Sequence, residues 1–299
     1  MKPSPVLKWA GGKTQLLPQI EKNYPPELNA SISTYIEPFV GGGAVFFNVV
    51  SNFNLQQSYL FDTNADLVIL YKVIQKDVET LIQELTKLEE CYLNRENHYR
   101  KTFYYSCRDR YNTFNKQVNT ESYSKSWAKR AALTVFLNRT CFNGLYRVNS
   151  QGHFNVPAGQ YKNPTICHAQ NLKAVSQALQ SAHIAQRDFS EVLKYADSHT
   201  FIYYDPPYRP ISKTASFNSY AASEFNDDEQ RRLRDVFAAA SHKGALQMLS
   251  NSDPTNYVND PFFDELYKEF KIKRVMASRA INSKADRRGA IREILVTNY

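Results

Sequence analysis

The sequence is poor in the features that mark secreted, metal-binding or membrane proteins. It has only four cysteines in 299 residues, widely separated and without a C-x-x-C pair, so neither a disulfide framework nor a zinc site is indicated. The N-terminal stretch MKPSPVLKWAGGK has no apolar signal region, and no apolar run is long enough to span a bilayer. We therefore expect a globular, cytoplasmic protein with no bound metal and no membrane partner.

Positive charge is concentrated in the middle of the chain. The net charge is +8, and the stretch 91–163 holds twelve Lys and Arg against three acids, whereas the remainder carries a net charge of −1. Tyrosines and phenylalanines are interleaved with these cations. Such a segment favours a surface that neutralises phosphates and stacks on bases. A solvated helical face is the alternative.

Hydrophobic periodicity predicts an α/β protein with a helical insert. Strands are expected over 34–39 and 58–62, with a helix after the glycine turn 41–43 and a long amphipathic helix capped near Asn64. The basic segment is predicted to be helical over 97–138 and to end in a β-hairpin around 150–152. Further helices are expected at 169–181 and 226–241. Further strands are expected at AHIAQ, TFIYY, ALQMLS, 270–276 and 291–298.

This pattern predicts two domains. A sheet domain is built from both ends of the chain, 1–66 and 165–299, and 67–164 forms an inserted second domain that carries most of the basic segment.

The stretch EPFVGGGAVFF places a glycine turn between a strand and a helix. Such a turn lets the backbone approach a ligand closely, and the helix amides offer donors. Asp62 lies 21 residues after Gly41, at the end of the next strand, where a carboxylate can accept the hydroxyls of a ribose. The third glycine of a dinucleotide site is replaced by Phe46, so a mononucleoside ligand fits better than NAD. A tight turn with a helix-capping aspartate remains the alternative.

The stretch LKWAGGKTQLL superficially resembles a phosphate-binding P-loop. That motif needs a glycine five positions before Gly12, where this chain has Leu7, so the P-loop interpretation fails. What remains is a pair of cations, Lys8 and Lys13, around Trp9, or simply a surface loop whose Trp packs into the core.

The tetrapeptide DPPY, residues 205–208, follows a predicted strand. An exocyclic amine such as adenine N6 is a poor nucleophile, because its lone pair is delocalised into the ring. The Asp205 carboxylate and the Pro206 carbonyl would accept its two hydrogens and favour the pyramidal, nucleophilic state. Pro206 and Pro207 keep the corner rigid, and Tyr208 offers a face for stacking. A rigid turn with a core tyrosine is the alternative.

Six motifs in this order resemble the DNA N6-adenine methyltransferases of the Dam type, the α-class amino-methyltransferases: KWAGGK, EPFVGGGAVFF, FDTNADLV, RDF, DPPY and SNSD. The likeness extends over nearly the whole chain, and 138–164 resembles that family's base-reading hairpin. The resemblance implies a Rossmann-like, S-adenosylmethionine-dependent methyltransferase sheet. It also implies an inserted, mainly helical DNA-recognition domain that bears the hairpin.

The resemblance implies roles for individual residues. Those expected to bind S-adenosylmethionine are Trp9, Lys13, Phe39, Gly41, Gly43, Asp62, Asp188, Phe189 and Asp205. Asp62 would hold the ribose, and Asp188 with Phe189 the adenine. Those expected to be catalytic are Asp205, Pro206, Pro207 and Tyr208, which would hold an adenine flipped out of double-stranded DNA. The stretch 213–220 resembles a loop that closes over that base, with Phe217 and Tyr220 as contacts.

Five residues are expected to contact DNA on the same basis: Lys8, Asn143, Leu145, Arg147 and Pro157. Arg147 is chemically suited to guanine O6 and N7, and the predicted site is GATC with its adenine modified. Two alternatives stay open, a DNA-binding protein without chemistry and an amino-methyltransferase for another sequence or amine, such as cytosine N4 or protein glutamine. The aspartate, the motif order and the basic insert favour adenine in DNA.

Overall fold

The computed structural model describes residues 1–114, 118–209, 225–256, 260–278 and 290–299. Its α-helices are α1 (Leu17–Glu21), α2 (Ala44–Asn52), α3 (Ala65–Leu93), α4 (Asn97–Asn112), α5 (Trp127–Thr140), α6 (Ala169–Ala178), α7 (Asp227–His242) and α8 (Phe262–Leu266). Its strands are β1 (Thr34–Glu37), β2 (Gln57–Asp62), β3 (Ala182–Gln186), β4 (Thr200–Tyr204), β5 (Leu246–Ser252), β6 (Lys271–Ser278) and β7 (Ala290–Thr297). These bounds confirm the predicted α/β order.

The chain divides into two compact units. The first unit comprises Met1–Gly12, Gly41–Asn52 and Asp62–Gln186, and the second comprises Lys13–Val40, Phe53–Phe61 and Arg187–Tyr299. The chain therefore passes five times from one unit to the other. This division reflects only how compactly the residues pack. The predicted functional division, with one domain formed by 1–66 and 165–299 and the other by 67–164, stays a prediction.

A mixed sheet organises the second unit, with its strands in the order β2-β1-β4-β5-β7-β6. The pairs β1–β2, β1–β4 and β4–β5 are parallel, whereas β7 runs antiparallel to both β5 and β6. All residues of β4 are buried, as expected for a central strand covered on both faces. The strand order reverses between β1 and β4, and in open α/β sheets ligands bind beyond the carboxyl ends of strands at such a point. Pro38 and Phe39 follow β1, and DPPY follows β4.

Helices form the core of the first unit, where α3 packs against α5 and α6, and α4 packs against α5. The N-cap of α3 is Asn64, whose side chain accepts a hydrogen bond from the Asp66 backbone N–H, as the sequence predicts. The strand β3 also belongs to this unit. Within the described ranges, every helix is too short or too polar to cross a lipid bilayer.

The predicted hairpin around 150–152 is present, but it is held by isolated antiparallel bridges rather than by continuous strands. The bridges are Val148 with Phe154 and Cys141 with Ala158. The Asn149 side chain accepts from the backbone N–H of Gln151 and of His153, so a side chain replaces part of the expected ladder at the turn. We call residues 142–157 the reading loop.

Candidate active site and DNA-reading loop

Asp205 lies directly after β4, at the corner that Pro206 and Pro207 make. Its side chain is 21% exposed and forms an ion pair of 2.6 Å with Nζ of Lys13, which is itself only 4% exposed. The Ser250 hydroxyl donates to the same carboxylate oxygen, Oδ1, over 3.2 Å. Among the described residues, none donates a hydrogen bond to the other oxygen, Oδ2. The corner therefore presents one oxygen that is occupied and one that can accept an amine hydrogen.

The charge state of Asp205 results from opposing effects. Burial raises the pKa of the carboxyl above its usual value, although the Lys13 ammonium and the hydrogen bonds from Lys13 and Ser250 oppose the rise. Nζ of Lys13 also lies 4.6 Å from the centroid of the Tyr208 ring, in cation–π range. The Tyr208 hydroxyl donates to Glu293 over 2.5 Å. A buried cation thus contacts both the predicted acceptor and the predicted stacking ring.

A second layer of polar side chains supports the corner, and sequence reasoning missed it. Gln230 on α7 is fully buried and donates to the Pro207 carbonyl over 3.3 Å. Asn251 on β5 donates in turn to Gln230 over 3.2 Å. The signal was the stretch SNSD, residues 250–253, which supplies both Ser250 and Asn251. The resemblance includes this stretch as a motif but implies no role for its side chains.

The predicted adenine-binding residues of the second unit form an aromatic cluster with a charged edge. The rings of Phe39 and Phe189 stack with centroids 5.4 Å apart, and Phe225 meets both rings edge-on. Both carboxylate oxygens of Asp188 accept from Arg232 at 2.8 Å, and this pairing holds the pKa of Asp188 far below its usual range. Asp188 remains 44% exposed, so an ionised acceptor stays accessible beside flat apolar rings, which suits an adenine.

The predicted ribose site of the first unit is built on Gly41. Oδ2 of Asp62 accepts from the Gly41 N–H at 3.0 Å, and Oδ1 accepts from the Asn64 N–H at 2.8 Å. Burial raises the pKa of Asp62 to about 6, although these backbone donors oppose the rise. Gly41 has a φ of +46°, and a Cβ on it would lie 2.9 Å from the Trp9 indole, so a side chain cannot fit there.

Gly43 also occupies a position that a residue with a side chain cannot easily fill. Its φ is +71°, and a Cβ would lie 3.0 Å from both Phe47 and the Tyr71 hydroxyl. Close packing therefore requires glycine at both positions, and the role of this turn in donor binding stays a prediction.

A buried charge network that sequence reasoning missed lies at the start of α3. Asp66 accepts from Nε of Arg130 at 2.6 Å and from the hydroxyls of Tyr111 at 2.5 Å and Tyr146 at 2.8 Å. Burial raises the pKa of Asp66, but Arg130 and the two tyrosines outweigh it, so the pKa is lowered overall. Tyr146 belongs to the reading loop, and its ring lies 5.2 Å from that of Trp9.

The five predicted DNA-contacting residues are all exposed, and all belong to the first unit: Lys8, Asn143, Leu145, Arg147 and Pro157. The Asn138 side chain bonds the backbone of both Lys8 and Gly144, which fixes Lys8 beside the reading loop. The Pro157 carbonyl accepts from the Phe142 N–H at 2.9 Å. Phe142 was not predicted, yet its side chain is 52% exposed, and an exposed aromatic ring beside these cations can stack on a base.

The basic segment 91–163 divides into surface and interior charges. Its exposed, described cations are Arg95, Lys101, Arg110, Lys125, Lys129, Arg147 and Lys162. Arg130 instead is buried against Asp66. Tyr104 and Tyr111 are also fully buried, so these interleaved aromatics belong to the core rather than to a stacking surface. The predicted closing loop, with Phe217 and Tyr220, lies outside the described residues.

The family model described as D12 class N6 adenine-specific DNA methyltransferase matches residues 9–281 of the chain. The chain belongs to this family. For a D12 class methyltransferase, membership implies S-adenosylmethionine as the methyl donor and DNA as the substrate. Within the described part of the chain, no group of three or more His, Cys, Asp or Glu side chains is placed to hold a metal ion.

Full-length relatives agree with the D12 class assignment. The chain is 48% identical to Type II methyltransferase M.MjaIII of Methanocaldococcus jannaschii, with 100% of both chains covered. It is 40% identical to Type II methyltransferase M1.LlaDCHI of Lactococcus lactis subsp. cremoris, covering 99% of this chain and 95% of the relative. It is 30% identical to a DNA adenine methylase of Escherichia coli K12, covering 97% and 93%. The predicted family, α/β methyltransferase fold and enzyme class are confirmed.

Proposed function

We propose that this enzyme transfers a methyl group from S-adenosylmethionine to N6 of an adenine that is flipped out of double-stranded DNA at GATC. The observation that carries the chemical part is the corner after β4. There Lys13 and Ser250 hold a partly exposed Asp205, and the same Lys13 lies over the ring of Tyr208. Some relatives are named Type II methyltransferases and others DNA adenine methylases. Both kinds of name are compatible with this assignment.

The residues expected to bind the donor are chemically suited to it. In the first unit, Asp62 would accept from the ribose hydroxyls, and Trp9, Gly41 and Gly43 shape the loop beside it. In the second unit, Asp188 would accept a hydrogen bond from the amine of the donor's adenine, and Phe189 would stack on its ring. Phe39 and Lys13 would be further contacts. When bound, S-adenosylmethionine supplies an electrophilic methyl group on a positively charged sulfur.

The residues of the corner prepare the amine for attack. Oδ2 of Asp205 and the Pro206 carbonyl would accept the two N6 hydrogens, which localises the nitrogen lone pair. Pro207, fixed by Gln230, keeps the corner rigid, and Tyr208 stacks on the base. Lys13 favours the ionised form of Asp205, and this carboxylate would accept the proton released from N6. The nitrogen lone pair would form the new N–C bond, and the electrons of the breaking S–C bond would stay on the departing sulfur, so the reaction needs no further reactant.

The reading loop would supply the sequence preference. Arg147 is exposed, and its Nε donates to the Asn155 side chain over 2.8 Å, which fixes the stem while the terminal nitrogens stay available to guanine O6 and N7. Exposed Leu145 and Pro157 offer apolar contact to a thymine methyl group. Lys8 and Asn143 complete the set.

Modification mapping tests the proposal directly. Purified enzyme is incubated with S-adenosylmethionine and unmethylated duplex DNA, which is then digested with one nuclease that requires N6-methylated GATC and one that is blocked by it. We expect cutting by the first and protection from the second. Unmodified GATC beside N6-methyladenine elsewhere would refute the site but not the activity. Absence of N6-methyladenine from all sequences would refute the activity.

A further inference from the structure

Tyr146 sits between two residues proposed to read bases, and its side chain has different surroundings from theirs. Leu145 and Arg147 are exposed, whereas Tyr146 is half-buried between the reading loop and the motif around Trp9. It packs edge-on against Phe154 at 5.9 Å. A shift of the backbone at 145–147 must therefore move this ring.

The hydroxyl of Tyr146 is held in the interior. It donates to Asp66, whose two carboxylate oxygens also bind Arg130 and Tyr111. Asp66, Arg130 and Tyr111 are 5%, 3% and 0% exposed. This fixed anchor at one end of the side chain means that movement of the loop turns the ring about its hydroxyl rather than releasing it.

The ring of Tyr146 contacts the donor-binding loop through Trp9. The two ring centroids are 5.2 Å apart, with 32° between the planes. The Trp9 indole in turn covers Gly41 so closely that a Cβ there would lie 2.9 Å from it. Gly41 donates to Asp62 and accepts from the Tyr71 hydroxyl at 2.8 Å. Contacts are therefore continuous from the reading loop to the proposed ribose acceptor, and all of them lie in the first unit.

We propose that Tyr146 is a positioning residue that couples base reading to donor binding. The proposal rests on the proposed function, because it assigns Arg147 to DNA and Asp62 to the donor. Engagement of the bases by Leu145 and Arg147 sets the Tyr146 ring, the ring sets Trp9 over Gly41, and the Gly41 N–H orients Asp62. Because coupling between two binding sites is reciprocal, bound donor favours the base-reading position of the loop by the same factor.

The test measures binding of S-adenosylhomocysteine, the product of the donor, by calorimetry with and without a saturating duplex. The duplex carries the sequence found by modification mapping, so the test does not depend on GATC. In the unaltered enzyme the duplex should tighten binding about 5-fold or more, the lower end of typical couplings. Tyr146→Leu should reduce that ratio to near one, whereas Tyr146→Phe, which keeps the ring but loses the hydroxyl anchor on Asp66, should give an intermediate ratio.

Controls separate coupling from a structural role. If Tyr146 had only a structural role, its replacement would weaken S-adenosylhomocysteine binding equally with and without the duplex and leave the ratio unchanged. Tyr99→Leu, an exposed tyrosine on α4, should leave the ratio as it is. Trp9→Leu breaks the same ring contact from the other side and should also reduce the ratio to near one. This second variant keeps the test valid if Tyr146→Leu fails to fold.

Two results would overturn the inference: an unaltered ratio in Tyr146→Leu or Trp9→Leu, or a ratio near one in the unaltered enzyme. Methyl incorporation is measured in the same preparations. Without incorporation by the unaltered enzyme, the proposed function fails. With incorporation but without an effect of Tyr146 on the ratio, only the coupling fails.

Discussion

Asp205 is the single side chain whose removal should separate chemistry from DNA binding. Asp205→Ala deletes the acceptor for N6, and we expect methyl transfer to fall by about 10²–10³-fold or more, the usual loss for a group that stabilises charge in a transition state. Affinity for duplex DNA should stay nearly unchanged, because the exposed cations of the segment 91–163 are left intact. Single-turnover transfer and duplex titration measure the two effects.

The matched control for Asp205 is Asp235→Asn, an exposed acid on α7 whose described partner is the neighbouring Arg234. It should leave the transfer rate unaltered. Appreciable turnover by Asp205→Ala would contradict the role assigned to this carboxylate.

Lys13 should set the acidic limit of activity. Its ammonium lowers the pKa of Asp205, which burial raises. Lys13→Met removes that opposition, so the pKa of Asp205 rises and the acidic limb of the kcat/KM profile should move to higher pH. Lys13→Arg keeps the charge and should keep the limb close to its original position. A profile of Lys13→Met that coincides with that of the unaltered enzyme would mean that Asp205 ionisation does not limit the reaction.

The predictability of site residues depends on how local their signal is. Asp205, Pro206, Pro207 and Tyr208 are consecutive, and their chemistry could be derived from the tetrapeptide alone. The partner of Asp205 could not, because Lys13 is brought to it across 192 residues only when β4 and the N-terminal segment fold together. Periodicity carries no information about such a pair. The resemblance did assign Lys13 to the donor, but it did not indicate the contact with Asp205.

At the scale of elements, the Asp66–Arg130 pair joins the start of α3 to α5. Asp66→Asn leaves the Arg130 guanidinium buried without its counter-charge, and we expect a loss of about 3–5 kcal/mol in the free energy of unfolding. Urea denaturation measures it. The double variant Asp66→Leu with Arg130→Met removes both charges and should be more stable than Asp66→Asn. The reverse order would show that the pair contributes little as a charge pair.

The same pair gives a pH dependence with a defined sign. The pKa of Asp66 is lowered in the folded protein, so its stabilising contribution is present above the unfolded value, near 3.8, and is lost as pH falls through the folded pKa. Asp66→Asn should therefore flatten the acid dependence of unfolding.

Elements with strong periodicity were predicted well, and the reading loop was not. The cap at Asn64 and strands such as β4 appear where the apolar pattern and turn residues place them. The hairpin around 150–152 lacks continuous strands because Asn149 binds turn amides with its side chain. Tyr146 and Phe154 also pack inward on other elements, and such tertiary contacts override alternation in a short segment.

At the scale of the whole molecule, the positive charge of 91–163 should make DNA binding strongly dependent on salt. If six to ten phosphates are contacted, affinity should fall by about 10³–10⁵-fold between 50 and 200 mM salt. Lys101→Gln combined with Lys129→Gln should reduce the slope of log K against log salt by about two. Filter binding across a salt series gives the slope.

The control for the salt series is Lys268→Gln, an exposed lysine of the second unit, which should not alter the slope. An unchanged slope in the double variant would place the phosphate contacts on other cations.

The five passages of the chain between the two units constrain how such enzymes can be recombined. No single cut separates the two units, because two segments of the second unit, Lys13–Val40 and Phe53–Phe61, lie between segments of the first. A chimera between two relatives with different target sequences would need several junctions. Exchange of the short 142–157 segment alone, together with its inward-facing tyrosine, is the more practical graft.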